Sequence, residues 1–598
     1  MKDDNNLFNN SLIDEYTFKK INKIINNLSN NQMIWLSGYL FNIIENNKLN
    51  NELKKSSILI NNKITILSSS QTGNARLVAK KLYDRMILSN FNVVLLKASE
   101  YKFKKINKEK ILIIITSTYG EGEPPEETYV FYNFLMSKRV PKLNNLSFAI
   151  FGLGDSSYKF FNKSAKDFDY RLKELGAKRL IKRFDSDINY SKVANNWIKE
   201  VLNFFKNVTF NKSNLSIKNK SIKVDNYEKK YSKKNPLITN ILCNQKITGR
   251  DSNKDIRHIE INLPNVNIFY EPGDILGIWY ENDPSLIKKI ILCFKLSNND
   301  FVKIGNKNIS LYEALLKYCE ITVNTINIVK KYSYLSNNKY LLSINNDLLE
   351  LKNFVKNTPL IDMFIVYKSK LLAQQLVSLC RPLSPRFYSI SSSQKEYKNE
   401  IHITVKILKY RSKNFVHFGG ASSYLGHRID ENDKIKIFLQ KNNNFKLPKD
   451  SNIPIIMIAV GTGISPFRSF IQERENMKAK GKNWLFFGDQ KFTEDFLYQI
   501  EWVNYFKNGL LNNINLAWSR DQKYKIYIQD KILENKNIFW KWINSGAYIY
   551  ICGSITMSKS VEISILKIIQ ENGKMNKSDS VIFLNELKIN HRYQKDVY

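Results

Sequence analysis

The stretch Ile64-Thr65-Ile66-Leu67-Ser68-Ser69-Ser70-Gln71-Thr72-Gly73-Asn74-Ala75 decides how the first half of this chain is read. A run without polar alternation enters small hydroxyl residues and a glycine, and a helical pattern follows over 75–88. Such a run predicts a strand buried on both faces. Similar runs over 93–96, 111–115 and 148–151 alternate with helical stretches. That order predicts βαβ units and a doubly wound parallel sheet.

The turn after the first strand gathers Ser68, Ser69, Ser70, Gln71, Thr72 and Gly73. Free N–H groups at a helix start and hydroxyl donors converging on one point suit an anion. A triphosphate-binding loop needs Gly-Lys-Ser/Thr, which is missing here, so ATP and GTP are disfavoured. Hydroxyl and N–H donors alone suffice for a monoester such as the phosphate of FMN; the same residues would also cap a helix with no ligand. Two more strands end in comparable loops, Thr116-Ser117-Thr118-Tyr119-Gly120-Glu121-Gly122 and Gly152-Leu153-Gly154-Asp155-Ser156-Ser157-Tyr158. Three loops at the carboxyl ends of neighbouring strands meet at the switch point of an open α/β sheet. Tyr119 and Tyr158 would flank a flat ring, and aromatic faces beside backbone polar groups suit an isoalloxazine.

Around this unit the chain of 598 residues divides further, and its length suggests roughly four domains. Residues 1–62 read as helices, with Ile21, Ile24, Ile25 and Leu28 at helical spacing. The sheet unit occupies 63–205. Residues 206–233 are polar and aperiodic, the composition of a flexible linker. Strands resume over 234–447 with a helical insertion at about 285–380, and strands alternate with helices again over 448–598. There is no internal repeat.

In the strand-rich unit, Arg386-Phe387-Tyr388-Ser389 follows Pro385 and is read as preceding a strand. It offers a cation for a diphosphate, a ring to cover a ring, and a hydroxyl near a reactive atom. His402-Ile403-Thr404-Val405-Lys406, Tyr410 and Gly419-Gly420-Ala421-Ser422 follow; the glycine pair permits close approach of backbone to a phosphate. Farther on, an apolar strand enters Gly461-Thr462-Gly463, then a helix, the arrangement of a pyrophosphate cradle. Ser519-Arg520 and Lys525-Ile526-Tyr527-Ile528-Gln529 supply cations and hydroxyls for a 2′-phosphate, so NADP is favoured over NAD. Cys552-Gly553 ends another strand, where a buried structural cysteine is the ordinary reading.

Composition narrows the classes. Hydrophobic residues make up 43% and charged residues 25%, ordinary globular usage that excludes collagen-like and disordered chains. The net charge of +37 would suit a polyanion. The Lys residues are dispersed, however, among abundant Asn and Ile, the usage of an AT-rich genome. No Lys/Arg cluster interleaved with aromatics marks a nucleic-acid site, so no nucleic-acid partner is expected. The five Cys stand apart with no CxxC spacing, so neither zinc nor an iron–sulfur cluster is expected and the metal set is empty. No apolar run approaches the about 18 residues of a membrane span, and the polar start carries no signal peptide. A cytoplasmic protein without a membrane partner is the expectation.

The strings SSSQTGNA, STYGEGEPPEE and GLGDSSY resemble the FMN module of the diflavin reductases. In detail, from about Leu28 to Tyr598, the chain resembles the flavoprotein (alpha) subunits of assimilatory NADPH–sulfite reductases within that family. The resemblance implies a flavodoxin-like FMN domain, a ferredoxin-reductase-like FAD β-barrel with a helical insertion, and a Rossmann-like NADPH domain. It implies FMN contacts that continue through Lys159, Phe160, Phe161 and Asn162, and an FAD contact at Thr322. It places Cys552, Ser389 and Asp596 beside the nicotinamide and stacks Tyr598 on the FAD ring. It implies an oxidoreductase passing electrons from NADPH to FAD to FMN, then to a separate siroheme and iron–sulfur hemoprotein that reduces sulfite to hydrogen sulfide for cysteine biosynthesis. An oligomer formed through residues 1–62 is implied as well. The pattern departs after Cys552-Gly553: Ser554 opens a shorter segment, and Ser560 stands where the family carries an Asp that contacts the nucleotide. The rival readings are another soluble NADPH-dependent diflavin reductase serving a different heme acceptor, a basic nucleic-acid-binding protein, and a cofactor-free scaffold.

Overall fold

The computed structural model of the chain describes Lys23 and residues 63–70, 73–118, 122–137, 140–156, 160–188, 190–209, 231–264, 268–412 and 415–598. The expected N-terminal helices, apart from Lys23, and most of the expected linker lie outside the described residues.

The first sheet is wholly parallel. β1 (Ile64–Ser69), β2 (Val93–Lys97), β3 (Ile111–Ser117), β4 (Ser147–Leu153) and β5 (Lys178–Arg179) take the order β2-β1-β3-β4-β5, and β6 (Phe184–Ser186) also pairs with β4. Period-two alternation sends Ile64, Ile66, Ile113 and Phe151 to one face, under helices Asn74–Leu88 and Tyr190–Thr209. Leu67, Leu112, Ile114 and Phe148 face the other way, under helices Tyr129–Met136 and Lys163–Glu174. Both faces are covered, which explains the unbroken apolar runs. Helix Tyr190–Thr209 runs past 205 into the stretch read as linker. Its stripe of Trp197, Ile198, Val201 and Phe205 packs on the sheet, and a helix anchored so firmly carries on for a further turn.

The second unit is antiparallel. It begins with β7 (Leu237–Lys246), β8 (Ile256–Asn262) and β9 (Ile275–Trp279). An insertion of helices from Pro284 to Leu379 follows, with its own core around Ile287, Leu315, Tyr332 and Phe364. It carries the pair β10 (Phe301–Ile304) and β11 (Lys307–Ser310), and β12 (Cys319–Glu320) returns to pair with β13 (Arg381–Pro382). Then come β14 (Arg386–Ser389), β15 (Glu400–Lys406), the pair β16 (Lys409–Ser412) and β17 (Phe415–Phe418), and β18 (Lys434–Gln440). The six-stranded order is β14-β9-β18-β7-β8-β15, and a bridge between Ile390 and Ile403 joins its ends into a barrel. The segment Arg386–Ser389, read as preceding a strand, is itself a strand, because it pairs along its length with β9.

The third unit is a parallel sheet of β19 (Ile455–Val460), β20 (Asn483–Asp489), β21 (Asn513–Trp518), β22 (Tyr548–Gly553) and β23 (Tyr593–Val597). Its order is β21-β20-β19-β22-β23, so the order in which strands are added reverses between β19 and β22. The Gly461–Ile464 turn and Cys552 both sit at that switch point. No helix among the described residues is long and apolar enough to cross a membrane.

Candidate functional site

At the first switch point the serine hydroxyls shape the turn. Thr116 donates to Ser69 Oγ at 3.0 Å, and Ser69 also lies against the Thr128 hydroxyl. Ser70 Oγ accepts from the N–H groups of Gly73 at 2.9 Å and Ala75 at 3.1 Å. The Ser70 N–H donates to Glu127, whose carboxylate pairs with Arg76 at 2.8 Å. Ser68, Ser69 and Ser70 are all buried, and buried hydroxyls need partners inside the protein. Gln71 and Thr72, at the tip, lie outside the described residues, as do Tyr119, Gly120, Ser157, Tyr158 and Lys159.

The other two loops reach open space. Ser117, Thr118, Leu153, Gly154 and Asp155 line one wall of a cavity of about 1090 Å³. Gly154 is required there, because a Cβ would stand 2.9 Å from Asn162 Oδ1. Asn162 is buried, adopts φ +53°, and donates to Ser186 O at 3.0 Å. Ser156 is tied to Asp187 through its N–H and hydroxyl, and Phe160 and Phe161 are half-buried at the helix start. The opposite wall belongs to the barrel: Arg386 and Phe387 line it, with Arg381 between the two units. Arg381 donates to Asp155 at 2.8 Å and so holds an expected FMN loop against an expected FAD domain.

Arg386 is fixed by a residue that the sequence reading missed. Glu320 accepts from Arg386 at 2.8 Å, from the Tyr280 hydroxyl at 2.9 Å, and from the N–H and hydroxyl of Thr322 at 2.9 and 2.6 Å. Burial opposes ionisation of Glu320, but Arg386 and these hydrogen bonds outweigh it and hold the carboxyl below its usual range. No spacing rule links residues so far apart in sequence; β12 and β13 bring them together. Gly420 is packed against Tyr280, where a Cβ would come within 2.9 Å of the ring. Ala421 is buried beside Tyr280, and Ser422 accepts from the Leu408 N–H at 3.1 Å while Gly419 turns the chain in front of it. Tyr388 packs against the barrel interior.

The side chains of Thr404, Val405 and Lys406 do not reach the cavity. Thr404 is hydrogen-bonded to the Tyr498 hydroxyl at 2.7 Å, Val405 enters the barrel core, and Lys406 points outward. Strand alternation imposes this. β15 borders the barrel's single-bridge seam.

The third unit closes on the second through its C-terminus. Ser389 Oγ donates to Asp596 Oδ2 at 2.5 Å, and Cys552 Sγ lies 4.0 Å from the same oxygen. Burial raises Asp596 above the usual carboxylate range, with the Ser389 hydroxyl pulling it partly back. Burial, reinforced by Asp596, pushes the Cys552 thiol well up, so it stays protonated at neutral pH. The Tyr598 hydroxyl meets Thr462 Oγ1 at 2.7 Å, and its N–H donates to Gly553 O. Gly461 takes φ +59°, and a Cβ on Gly463 would fall 2.1 Å from Cys552 O, so the turn packs directly on β22. Ser519 donates to Asp489 O at 3.2 Å; Arg520, Lys525 and Tyr527 are exposed, and neither cation has an ion-pair partner among the described residues. Ile526 and Ile528 pack into the core, and Gln529 opens the next helix. Ser554, in the departing segment, caps helix Ile555–Asn572 by accepting from Met557 N–H, and Ser560 bonds back to Thr556 O.

A buried network joins the second and third units. Arg468 forks onto Glu501 at 2.7 and 3.0 Å, donates to Ser391 O, and reaches His402 Nδ1 at 3.2 Å. His258, Glu260 and His402 lie close enough together to be weighed as metal ligands. Their ring nitrogens are already engaged: His258 with Tyr498 and Glu260, His402 with Glu400 and Arg468. The network reads as a clamp.

Comparison with known proteins agrees with this architecture. Residues 66–197 match the flavodoxin family, 229–424 the FAD binding domain, and 457–562 the oxidoreductase NAD-binding domain. The sulfite reductase [NADPH] flavoprotein alpha-component of Buchnera aphidicola from Acyrthosiphon pisum is 49% identical over 577 residues, covering 95% of each chain. That of Baumannia cicadellinicola is 48% identical over 97% of each, and that of Escherichia coli O9:H4 is 45% identical over 96% of each. Similarity of this extent spans all three units and the connections between them, and the chain belongs to the family of the NADPH-dependent sulfite reductase flavoprotein alpha-component.

Proposed function

We propose that the chain carries electrons from NADPH by way of FAD and FMN to a separate hemoprotein that reduces sulfite to hydrogen sulfide. The observation that carries this reading is the shared cavity, in which Ser117, Thr118 and Gly154 of the parallel sheet face Arg386 and Phe387 of the barrel. When bound, NADPH supplies a hydride, and the flavins accept an electron pair and release electrons singly. Arg386, steadied by Glu320, offers its guanidinium to the FAD diphosphate. Arg520 and Lys525, which have no ion-pair partner among the described residues, meet the 2′-phosphate of NADPH. Ser389 orients Asp596 beside the nicotinamide position, where its negative charge favours the positive charge that develops on the ring as hydride leaves. Cys552 remains a thiol and packs against that position. Tyr598 covers the FAD ring and swings aside for the nicotinamide. Arg381 on Asp155 keeps the FMN loops facing the barrel.

The five cysteines are all free and cannot supply the ligands of an iron–sulfur cluster in one place, so sulfite reduction belongs on the partner. Free thiols also suit a reducing cytoplasm. Residues 1–62 serve self-association. The test is the absorbance spectrum and flavin content of the purified chain, followed by anaerobic NADPH addition with and without a sulfite reductase hemoprotein. Two flavins per chain, bleached by NADPH, with sulfide formed only when the hemoprotein is present, are expected. A chain that takes up no flavin refutes the reading.

A further inference from the structure

A second cavity, of about 580 Å³, lies between the outer face of the barrel and the helical insertion. None of the residues read as FMN, FAD or NADP contacts lines it. Three parts of the chain bring cations to it. β18 buries Ile435 and Ile437 in the barrel core, so strand alternation turns Lys434 and Lys436 outward. Trp279 lies beside Lys436 on the paired strand β9, and its ring N–H donates to Lys233 O at 3.1 Å, which fixes Lys233 on the same wall. From the insertion come Lys303 on β10 and Lys317 at the end of helix Leu311–Lys317. Arg381, on β13, stands at the end that meets Asp155.

Among the described residues, seven cations and a single carboxylate, Glu281, line this cavity. Of the seven, only Lys317 and Arg381 have an ion-pair partner among the described residues, Glu313 at 3.8 Å and Asp155 at 2.8 Å. A lysine-rich composition disperses charge along a chain; it does not by itself converge barrel, insertion and connecting strands on one hollow. Like charges that share a cavity repel, and partial burial adds to the cost, holding the Lys233 ammonium below the usual lysine range. An anion between them would relieve both effects. Trp279 and Tyr318 add aromatic surface to the lining. We propose that this cavity binds a small oligophosphate of the pyrophosphate class, free or as part of a nucleotide. Several oxygens carried on adjacent phosphorus atoms can meet cations that arrive from opposite walls, which a single phosphate cannot span.

The test uses the full chain with FMN, FAD and NADP+ all in excess, so that the anion sites proposed for those cofactors are filled. It is titrated by calorimetry with pyrophosphate, with ADP and with inorganic phosphate at constant ionic strength. Pyrophosphate or ADP should bind once per chain and about 10-fold or more tighter than phosphate. Tighter ADP makes a nucleotide the source of the ligand, and equal or tighter pyrophosphate makes it the free anion. Lys434→Gln/Lys436→Gln changes two exposed side chains of the proposed site and should weaken this binding about 10–100-fold, the loss expected for hydrogen bonds to charged groups. Lys480→Gln/Lys482→Gln removes the same charge from exposed positions outside the cavity and should leave the binding as it was. Pyrophosphate and ADP bound no tighter than phosphate, or binding that the two double variants lose equally or not at all, overturns the assignment.

Discussion

The clamp between the barrel and the third sheet should make the protein lose stability in mild acid. His258 and His402 sit on neighbouring strands with rings 4.9 Å apart, nearly perpendicular, and both are buried. Burial, then the Arg468 guanidinium, pushes each ring from its ordinary value of 6.5 down to about 3, with each other's proximity adding to the effect on His258. The folded chain therefore keeps both rings neutral at pH 5, whereas the unfolded chain protonates them below about 6.5. The unfolded state binds more protons, so stability present above pH 6.5 is lost as pH falls toward 3. Each ring contributes about 1.4 kcal/mol per pH unit once well below 6.5, so the pair removes about 4 kcal/mol between pH 7 and pH 5. Carboxylates held low in the fold, such as Glu320 and Glu562, lose their contribution only where unfolded carboxylates titrate, near pH 4. Asp489 and Asp596, raised by burial, oppose the histidines as they take up protons. Urea midpoints followed by tryptophan fluorescence at pH 5, 6 and 7 measure the slope, and a His258→Gln/His402→Gln variant should lose most of it. A double variant with the parental slope, or a parent that loses under about 1 kcal/mol, would refute the reasoning.

Three further outcomes follow from the site. Arg520→Ala and Lys525→Ala should each raise the NADPH dissociation constant about 10–100-fold and barely change that of NADH, since only NADPH brings the phosphate they meet; equal losses would contradict the role. Cys552→Ala and Ser389→Ala should slow flavin reduction by NADPH in stopped-flow absorbance with flavin content unchanged, and an unaltered rate would leave both residues structural. Gly463→Ala should lower the unfolding temperature and release NADPH together, because its Cβ must displace the Cys552 carbonyl 2.1 Å away; a variant as stable as the parent would show that the turn relaxes at little cost.

Much of this architecture was legible along the chain because it is written in local terms. Apolar runs such as Ile111–Ile115 are continuous only when both sheet faces are covered, and hydroxyl-and-glycine loops follow them at every switch point. The segment Gly461-Thr462-Gly463 could be placed between a strand and a helix before any contact was known. Local reading stops where a side chain's direction depends on a partner strand. Thr404 turned toward Tyr498 and Val405 into the barrel core. The hydroxyls of Ser68, Ser69 and Ser70 are buried, and that of Ser70 accepts from the N–H groups that follow it, which no spacing along the chain foretells.

The sequence by itself determined the order of three α/β and β units, the phosphate-seeking turns, and the cation and hydroxyl set beyond β21. Periodicity and turn chemistry depend on neighbours a few residues away. Only the tertiary structure decided which charges meet. Glu320 reaches Arg386 across 66 positions, Arg381 reaches Asp155 across 226, and Ser389 reaches Asp596 across 207. Asp362 came to lie 3.3 Å from His417 in the same way. A carboxylate's partner is chosen by the low-dielectric space in which chain topology leaves it, and no pattern along the sequence encodes that distance.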